Sequence, residues 1–141
     1  MSATPAVTVD LKTFITDYTD EVWNKHNPGA IDRYFTADYV HHDVSSPSVK
    51  TRDDYKAWAL ALQAGLSDLQ VHIDDIIAGE SKAVKRWTAT GVHTATFLGI
   101  PATGRRVAFA GMTAYRVSGG QILESWYVYD TFGLLQQLKP D

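Results

Sequence analysis

Cysteine is missing from this 141-residue chain, so the protein can form no disulfide framework, no thiolate nucleophile and no thiolate metal site. Long apolar runs are missing too, since no window reaches the roughly 18 residues that a membrane-spanning helix needs. The opening residues, MSATPAVTVDL, have neither the basic start nor the apolar stretch of a signal peptide. We therefore expect a cytoplasmic protein without a membrane span.

Clusters of positive charge are also absent. The thirteen Lys and Arg residues are scattered and the formal net charge is −3, so there is no basic patch of the kind that binds nucleic-acid phosphates. What is present is a composition of 45% hydrophobic and 21% charged residues, which is typical of a globular fold. The length and the lack of repeats or linkers predict a single domain over residues 1–141, with residues 1–7 as a flexible tail.

Apolar residues recur at helical spacing in the first half of the chain. One stripe covers residues 11–22, and a shorter one covers residues 31–35 after an Asn-Pro start signal. A third stripe, over residues 55–66, follows Thr51 and Asp54, which have the spacing of a capping box. The first half therefore predicts three helices.

The second half changes to patterns typical of strands. We predict four strands, separated by the turn-forming segments AGES, GIPATG and SGG. Their predicted ranges are 69–77, 82–93, 105–117 and 121–130. Residues 39–43, YVHHD, form a brief extended segment before them. Helices followed by a run of antiparallel strands indicate an α+β fold, with the helices on one face of a curved sheet.

Three blocks of the chain resemble one protein family. They are YFTADYVHHD (34–43), RWTATGVHTATFLGIPATGRRVAFAGMTAYRV (86–117) and GGQILESWYVYDTFGLLQQL (119–138). Together and in this order they resemble the SnoaL-like polyketide cyclases of the nuclear-transport-factor-2-like superfamily. The resemblance implies a cone-shaped α+β fold, in which a curved antiparallel sheet packs against three helices and encloses an apolar pocket. It also implies a homodimer and a cofactor-free, intramolecular aldol closure of a polyketide ester.

Asp130, at the end of the last predicted strand, has two interpretations. Strand alternation places it on the face of Val128, Trp126 and Glu124, and if that face lines a pocket, desolvation raises its pKa toward the range of a general base. Alternatively, Asp130 is the N-cap of a short helix that begins DTFGLLQQL. The resemblance favours catalysis, because the catalytic aspartate of SnoaL-like cyclases lies at the corresponding place in the last strand.

His41 and His42 are adjacent on an extended segment, so their side chains point to opposite faces. The resemblance places His42 in the pocket, as a hydrogen-bond partner of the substrate or of Asp130; a solvated or core histidine is the alternative. A zinc site is not expected, because His41 and Asp43 share a face but supply only two ligands where zinc commonly takes three or four from the protein.

Arg86, Trp126 and His93 are expected to contact the substrate. Arg86 could neutralise an enolate or donate to a carbonyl, because its guanidinium is always charged, although a paired surface arginine is the commoner case. Trp126 and His93 are weaker candidates for pocket walls. The related epoxide hydrolases carry an aspartate two residues after such an arginine; here that residue is Thr88, which argues against epoxide hydrolysis.

We therefore expect a polyketide-cyclase-like enzyme without a cofactor or metal. In the expected reaction, Asp130 removes a proton α to a carbonyl of a small apolar ligand, the enolate attacks a second carbonyl, and Asp130 returns the proton. The alternatives are a non-catalytic binding protein on the same fold, a ketosteroid-isomerase-like enzyme and an epoxide-hydrolase-like enzyme.

Overall fold

A computed structural model describes residues 10–139 of the chain; the predicted flexible tail, residues 1–7, lies outside this range. Helix α1 (Leu11–Thr19) is capped by Asp10, whose side chain accepts hydrogen bonds from the Lys12 and Thr13 N–H groups. A π-helical turn, Asp20–Asn24, continues it. The predicted apolar stripe is confirmed, since its members at positions 11, 15, 18 and 22 are all buried.

Helix α3 (Arg52–Gly65) begins where the capping box predicted. The Asp54 N–H donates to Thr51 Oγ1 over 3.1 Å, and the Thr51 N–H donates to Asp54 Oδ2 over 3.1 Å. A 3-10 turn (Pro28–Ala30) and the short helix α2 (Ile31–Tyr34) precede it. No helix among residues 10–139 is both long and apolar enough to cross a membrane.

Within residues 10–139, five strands form one open, mixed sheet in the order β1-β5-β4-β3-β2. They are β1 (Phe35–Asp43), β2 (Leu66–Ala78), β3 (Lys82–His93), β4 (Arg106–Ser118) and β5 (Gln121–Tyr129). The four predicted strands are confirmed with small shifts of their ends. The predicted antiparallel sheet is wrong in one respect, because β1 pairs with β5 in parallel. Helix α4 (Thr131–Leu138) is the fourth α-helix of the described residues, where three helices were predicted.

The two faces of the sheet differ sharply in burial. On β3, Lys85 and Trp87 are buried, whereas Arg86 between them is exposed; on β5, Tyr127 is buried and Trp126 is half-exposed. Helices α1 and α3 contact the sheet, and the side chains between them and the strands form one buried core. We call the buried face the inner face and the opposite one the outer face.

Gly111 lies on the inner row of β4, where the sheet leaves no room for a side chain. A Cβ added there would lie 2.5 Å from Trp87 Cζ2 and 2.7 Å from Tyr129 Cβ. We expect Gly111→Ala to lower the free energy of unfolding by about 1–3 kcal/mol, because overpacking forces the neighbouring rings to shift. Urea denaturation measures this. Gly29→Ala, whose Cβ would have its nearest contact at 3.5 Å, is the matched control, and equal effects of the two changes would contradict the packing explanation.

Candidate active site

Asp130 is exposed and caps helix α4. The Gly133 N–H donates to its Oδ1 over 2.9 Å, so the N-cap interpretation is confirmed. Strand alternation correctly put Asp130 on the face of Trp126 and Val128, but that face is the outer one. Asp130 is therefore open to solvent instead of lining an apolar pocket, and its catalytic role stays a prediction.

The two histidines point to opposite faces, as predicted, but the expected position of His42 is wrong. His42 lies on the outer face, stacked on Trp126 with ring centroids 5.3 Å apart, and its Nε2 is 2.7 Å from Glu124 Oε2. The reason is register: His42 is paired with Trp126 across β1 and β5, and Trp126 belongs to the outer row. Of the two adjacent histidines, His41 is the buried one, at 2% exposure.

The remaining predicted residues do not gather with His42 and Asp130 in one interior pocket. Arg86 lies on the outer face, where it lines an open groove with Asp130 and Asp74. Trp126, 39% exposed, belongs to the same face. His93 is fully buried, and its Nδ1 accepts the Thr103 N–H over 3.2 Å. Arg86 and Asp130 thus line the same groove, and His42 stacks on Trp126. His93 is buried and belongs to neither group.

On the inner face, His41 and Asp43 form a buried pair. Neither side chain is exposed, and His41 Nε2 lies 4.0 Å from Asp43 Oδ2. Both of these atoms lack a hydrogen-bond partner among the described residues. At 4.0 Å they are too far apart to bond to each other, but an oxygen atom between them could lie roughly 2.8 Å from both. Buried unpaired polar atoms are rare, and two of them facing each other make this pair a candidate site.

Hydrogen bonds and ring contacts fix the orientation of this pair. His41 Nδ1 is 2.7 Å from the Tyr39 hydroxyl, which also contacts Ser125 Oγ. If Tyr39 donates to Nδ1, the imidazole proton is on Nε2, on the side of Asp43. The His41 ring packs against both Tyr55 and Tyr127, with a centroid distance of 4.9 Å to each.

Three tyrosine hydroxyls meet beside His41. The Tyr55 and Tyr127 hydroxyls are 2.7 Å apart, Tyr18 contacts both, and the Trp23 indole N–H donates to Tyr18 over 3.2 Å. Burial raises the pKa of Tyr18, Tyr55 and Tyr127. All three are therefore neutral near pH 7 and keep their hydroxyl protons. We call them the tyrosine cluster.

Lys85 is a buried amine on the inner row of β3. It is 2% exposed, and its Nζ donates one hydrogen bond, to Thr19 Oγ1 over 3.0 Å. The rings of Tyr18 and Tyr115 lie with their centroids 5.2 and 5.6 Å from Nζ. Desolvation without a carboxylate partner lowers the pKa of Lys85 to about 7.

Two small apolar cavities lie between the helices and the inner face. The inner cavity, about 20 Å³, lies next to Lys85 and Tyr127. The rim cavity, about 40 Å³, is bounded in part by Tyr129 and Ser45. Trp58, Leu62 and Phe109 line both cavities and separate them. Both are far smaller than the ~300–1,000 Å³ of a typical ligand pocket, so a ligand requires side chains such as the half-buried Trp58 to move.

Sequence reasoning missed Lys85, and it considered Asp43 only as a metal ligand. The signal for Lys85 was its position in the row of Ala83, Trp87 and Ala89, where a polar residue interrupts an apolar face. Within residues 10–139 no three His, Asp or Glu side chains are placed to hold a metal ion. The interior is equipped for proton transfer, because it combines a carboxylate, an imidazole and neutral hydroxyl donors.

Comparison with known proteins gives the class and then the family. Helices against the inner face of a five-stranded mixed sheet define a nuclear-transport-factor-2-like α+β protein. The chain belongs to the SnoaL-like polyketide cyclase family, whose model matches residues 14–138. A search of curated protein sequences gives no match.

Solved structures agree with this placement. A candidate polyketide cyclase from Acidithiobacillus ferrooxidans is 28% identical with a TM-score of 0.83, over 94% of this chain and 96% of that one. TsrD from Streptomyces laurentii is 26% identical with a TM-score of 0.80, over 91% and 93% of the two chains. AclR, a candidate hydroxylase from Streptomyces galilaeus, has a TM-score of 0.83 over 93% and 96% of the two chains, and at 24% identity it shows the fold alone.

The lowered pKa of Lys85 predicts a pH-dependent stability. In the unfolded chain a lysine has a pKa of ~10.4. Between pH 7 and ~10 the unfolded state therefore binds more protons than the folded state. The cost of burying the ammonium is fully present below pH 7 and disappears as the pH rises. The free energy of unfolding should therefore increase by up to about 1.4 kcal/mol per pH unit above pH 7, until the buried tyrosines reverse the trend above pH ~10.

Chemical denaturation from pH 6.5 to 9.5 measures this slope. Lys85→Met should remove it and raise stability at pH 7, since it replaces the ammonium by an apolar group of similar length. Lys82→Met, at an exposed position of the same strand, should keep the slope. Parallel curves for wild type and Lys85→Met would show that Lys85 does not titrate as described.

Proposed function

We propose that this protein is a cyclase that uses cofactor-free acid/base chemistry on a small apolar carbonyl compound, and that the reaction takes place beside His41 and Asp43. The observation that carries the proposal is the pair of buried, unpaired atoms, Asp43 Oδ2 and His41 Nε2, 4.0 Å apart. They supply a proton acceptor for a C–H group beside a carbonyl and a donor for a carbonyl oxygen of the same ligand. The acid and histidine roles expected of Asp130 and His42 thus pass to Asp43 and His41.

In the proposed mechanism, Asp43 Oδ2 removes a proton α to one carbonyl group of the ligand. The enolate carbon then attacks a second carbonyl carbon of the same molecule, and a ring closes. His41 Nε2–H donates to the oxygen that becomes an alkoxide, and Asp43 returns its proton to that oxygen, so no atom is gained or lost. The neutral hydroxyls of the tyrosine cluster are further donors for the developing charge.

The ligand is proposed to occupy the space of both cavities at once. Trp58 separates them and lies 6.4 Å from His41 between ring centroids, so its displacement joins the cavities and opens the way to the pair. The lining is mostly aromatic and aliphatic, which suits an apolar, ring-forming chain. Holding such a chain with its two reacting carbons in contact can contribute roughly 7–11 kcal/mol to catalysis.

Family membership and the solved relatives support a cyclase but do not name a substrate, because one fold supports many reactions. A ketosteroid-isomerase-like reaction would use the same first step, proton removal α to a carbonyl. An epoxide-hydrolase-like reaction would need the outer-face residues Asp74, Arg86 and Asp130 instead. A binding protein would use the interior without proton transfer.

The first step can be tested without the natural substrate. We expect the wild type to accelerate exchange of the α-hydrogens of aryl and alicyclic ketones, such as acetophenone and 2-tetralone, for deuterium in D2O, as followed by proton NMR. Asp43→Asn keeps an acceptor for the Ser45 N–H, which is 2.9 Å from Oδ1, but removes the base. The rate should fall by about 10²–10⁴-fold. His41→Gln should also slow exchange.

His42→Gln is the matched control, because the adjacent histidine lies on the outer face and its loss should change the rate less than about twofold. Asp130→Asn keeps the helix cap, so it should cost less than roughly 1 kcal/mol of stability. Its exchange rate distinguishes an active site at Asp130 from one at Asp43. A loss of rate in Asp130→Asn with none in Asp43→Asn would return the chemistry to the outer face. Absence of enzyme-dependent exchange with every ketone would favour a binding protein.

We also propose that the outer face of the sheet binds a second copy of the chain. Trp126, Met112 and Val128 are 39, 53 and 61% exposed there, and they are neighbours across β4 and β5. Arg86 lies in the same groove as Asp74 and Asp130. In a two-fold interface, if residue i of one copy contacts residue j of the other, residue j of the first also contacts residue i of the second, so the arginine of each copy can pair with a carboxylate of the other.

Light scattering should therefore give twice the mass of one chain at micromolar concentration. Trp126→Glu should yield monomers, because it puts a charge at the apolar centre of the interface. Leu60→Glu changes an exposed apolar residue of α3 (54% exposed) and should leave the dimer intact. A wild type with the mass of one chain would contradict the proposal.

A further inference from the structure

Lys85 is a buried amine that the acid/base proposal leaves unused. Its side chain lines the inner cavity with Trp23, Trp58 and Trp87. Nζ has a single hydrogen bond, to the neutral Thr19 hydroxyl, and no described carboxylate lies within ion-pair distance of it. An amine that faces an apolar cavity without a counterion is held in a setting that favours its neutral, nucleophilic form.

We propose that Lys85 is a covalent binding site for carbonyl compounds, at which its Nζ forms an imine with a ketone or aldehyde that enters the inner cavity. This site goes beyond acid/base cyclisation and does not depend on it. It assigns the inner cavity a ligand class, small apolar carbonyl compounds, and an attachment point on β3.

The groups that face Lys85 are consistent with this chemistry. Tyr18 of α1 and Tyr115 of β4 are the titratable side chains against it, and burial raises the pKa of both phenols. They stay neutral at the pH where the amine loses its proton, so no anion restores the ammonium. Burial lowers the pKa of Lys85 to about 7. At pH 7 the Lys85 amine is therefore neutral in about half of the molecules.

The reaction balances without an oxidant or reductant. The lone pair of Nζ adds to the carbonyl carbon, and one N–H proton moves to the carbonyl oxygen to give a carbinolamine. That oxygen leaves as water with the second N–H proton, and a C=N bond forms. The Thr19 hydroxyl, 3.0 Å from Nζ, is placed to relay the first proton, because it can both accept and donate.

Reductive trapping with acetone tests the proposal. Sodium cyanoborohydride delivers a hydride to the imine carbon, so the labelled lysine gains the mass of acetone less one oxygen atom, and peptide mass spectrometry locates it. A lysine with the ordinary pKa of ~10.4 is neutral in less than 1 in 1,000 molecules at pH 7. We therefore expect the initial labelling rate of Lys85 at pH 7 to exceed that of exposed Lys82 and Lys12 by at least about tenfold, and this advantage to shrink at pH 9.5.

Two variants keep the result interpretable. Lys85→Met removes the amine and replaces it with an apolar chain, so its folding is tested by circular dichroism and its labelling at pH 7 should be confined to slow surface sites. Lys82→Met should leave Lys85 labelling unchanged. Labelling of Lys85 only in urea, or at pH 7 no faster than Lys82, would overturn the proposal. Labelling needs no turnover, so its failure leaves the ketone-exchange result intact, and Asp43→Asn should still be labelled at Lys85.

Discussion

The parallel pairing of β1 with β5 is the constraint on which the interior depends. It sets His41 beside Ser125 and Asp43 beside Tyr127, so the buried polar groups of two distant segments occupy one face. Because side chains alternate along a strand, the same register sends His42 and Trp126 together to the outer face. A shift of β1 by one residue would exchange its two faces, putting His42 into the core and turning His41 and Asp43 outward.

Desolvation gives these inner groups their chemical character. Buried phenols keep their protons, and a buried amine without a counterion tends to lose one. The interior is therefore mostly apolar, with hydroxyl, imidazole, carboxyl and amine groups set among aromatic rings. Such groups cost stability unless their polar atoms are paired. Of the buried side-chain atoms without a partner among the described residues, which also include Thr36 Oγ1, His93 Nε2 and the Tyr115 hydroxyl, those of His41 and Asp43 lie next to each other.

Much of the fold could be predicted from local patterns, because helix stripes, the Thr51 capping box and strand alternation are encoded within a few neighbouring residues. Alternation also placed Asp130 with Trp126, and His41 opposite His42. It could not tell which face is the inner one, because β5 has large apolar side chains on both: Trp126 and Val128 on one, Tyr127 and Tyr129 on the other. The parallel partner of β1 was unpredictable for a related reason, since strand pairing between distant segments leaves no local periodicity.

The same pairing has a consequence for biosynthesis. A chain is made from its N-terminus, so β1 emerges long before β5, the last strand of the described residues. β5 is the strand beside which β1 lies in the sheet, so β1 has no partner strand in the meantime. Contacts between such distant segments form slowly, and unpaired strand edges invite association with other chains. A polypeptide interrupted before residue 121 would lack both Ser125 and Tyr127, and with them the groups that hold Tyr39 and His41. The interior can therefore assemble only after β5 has been synthesised.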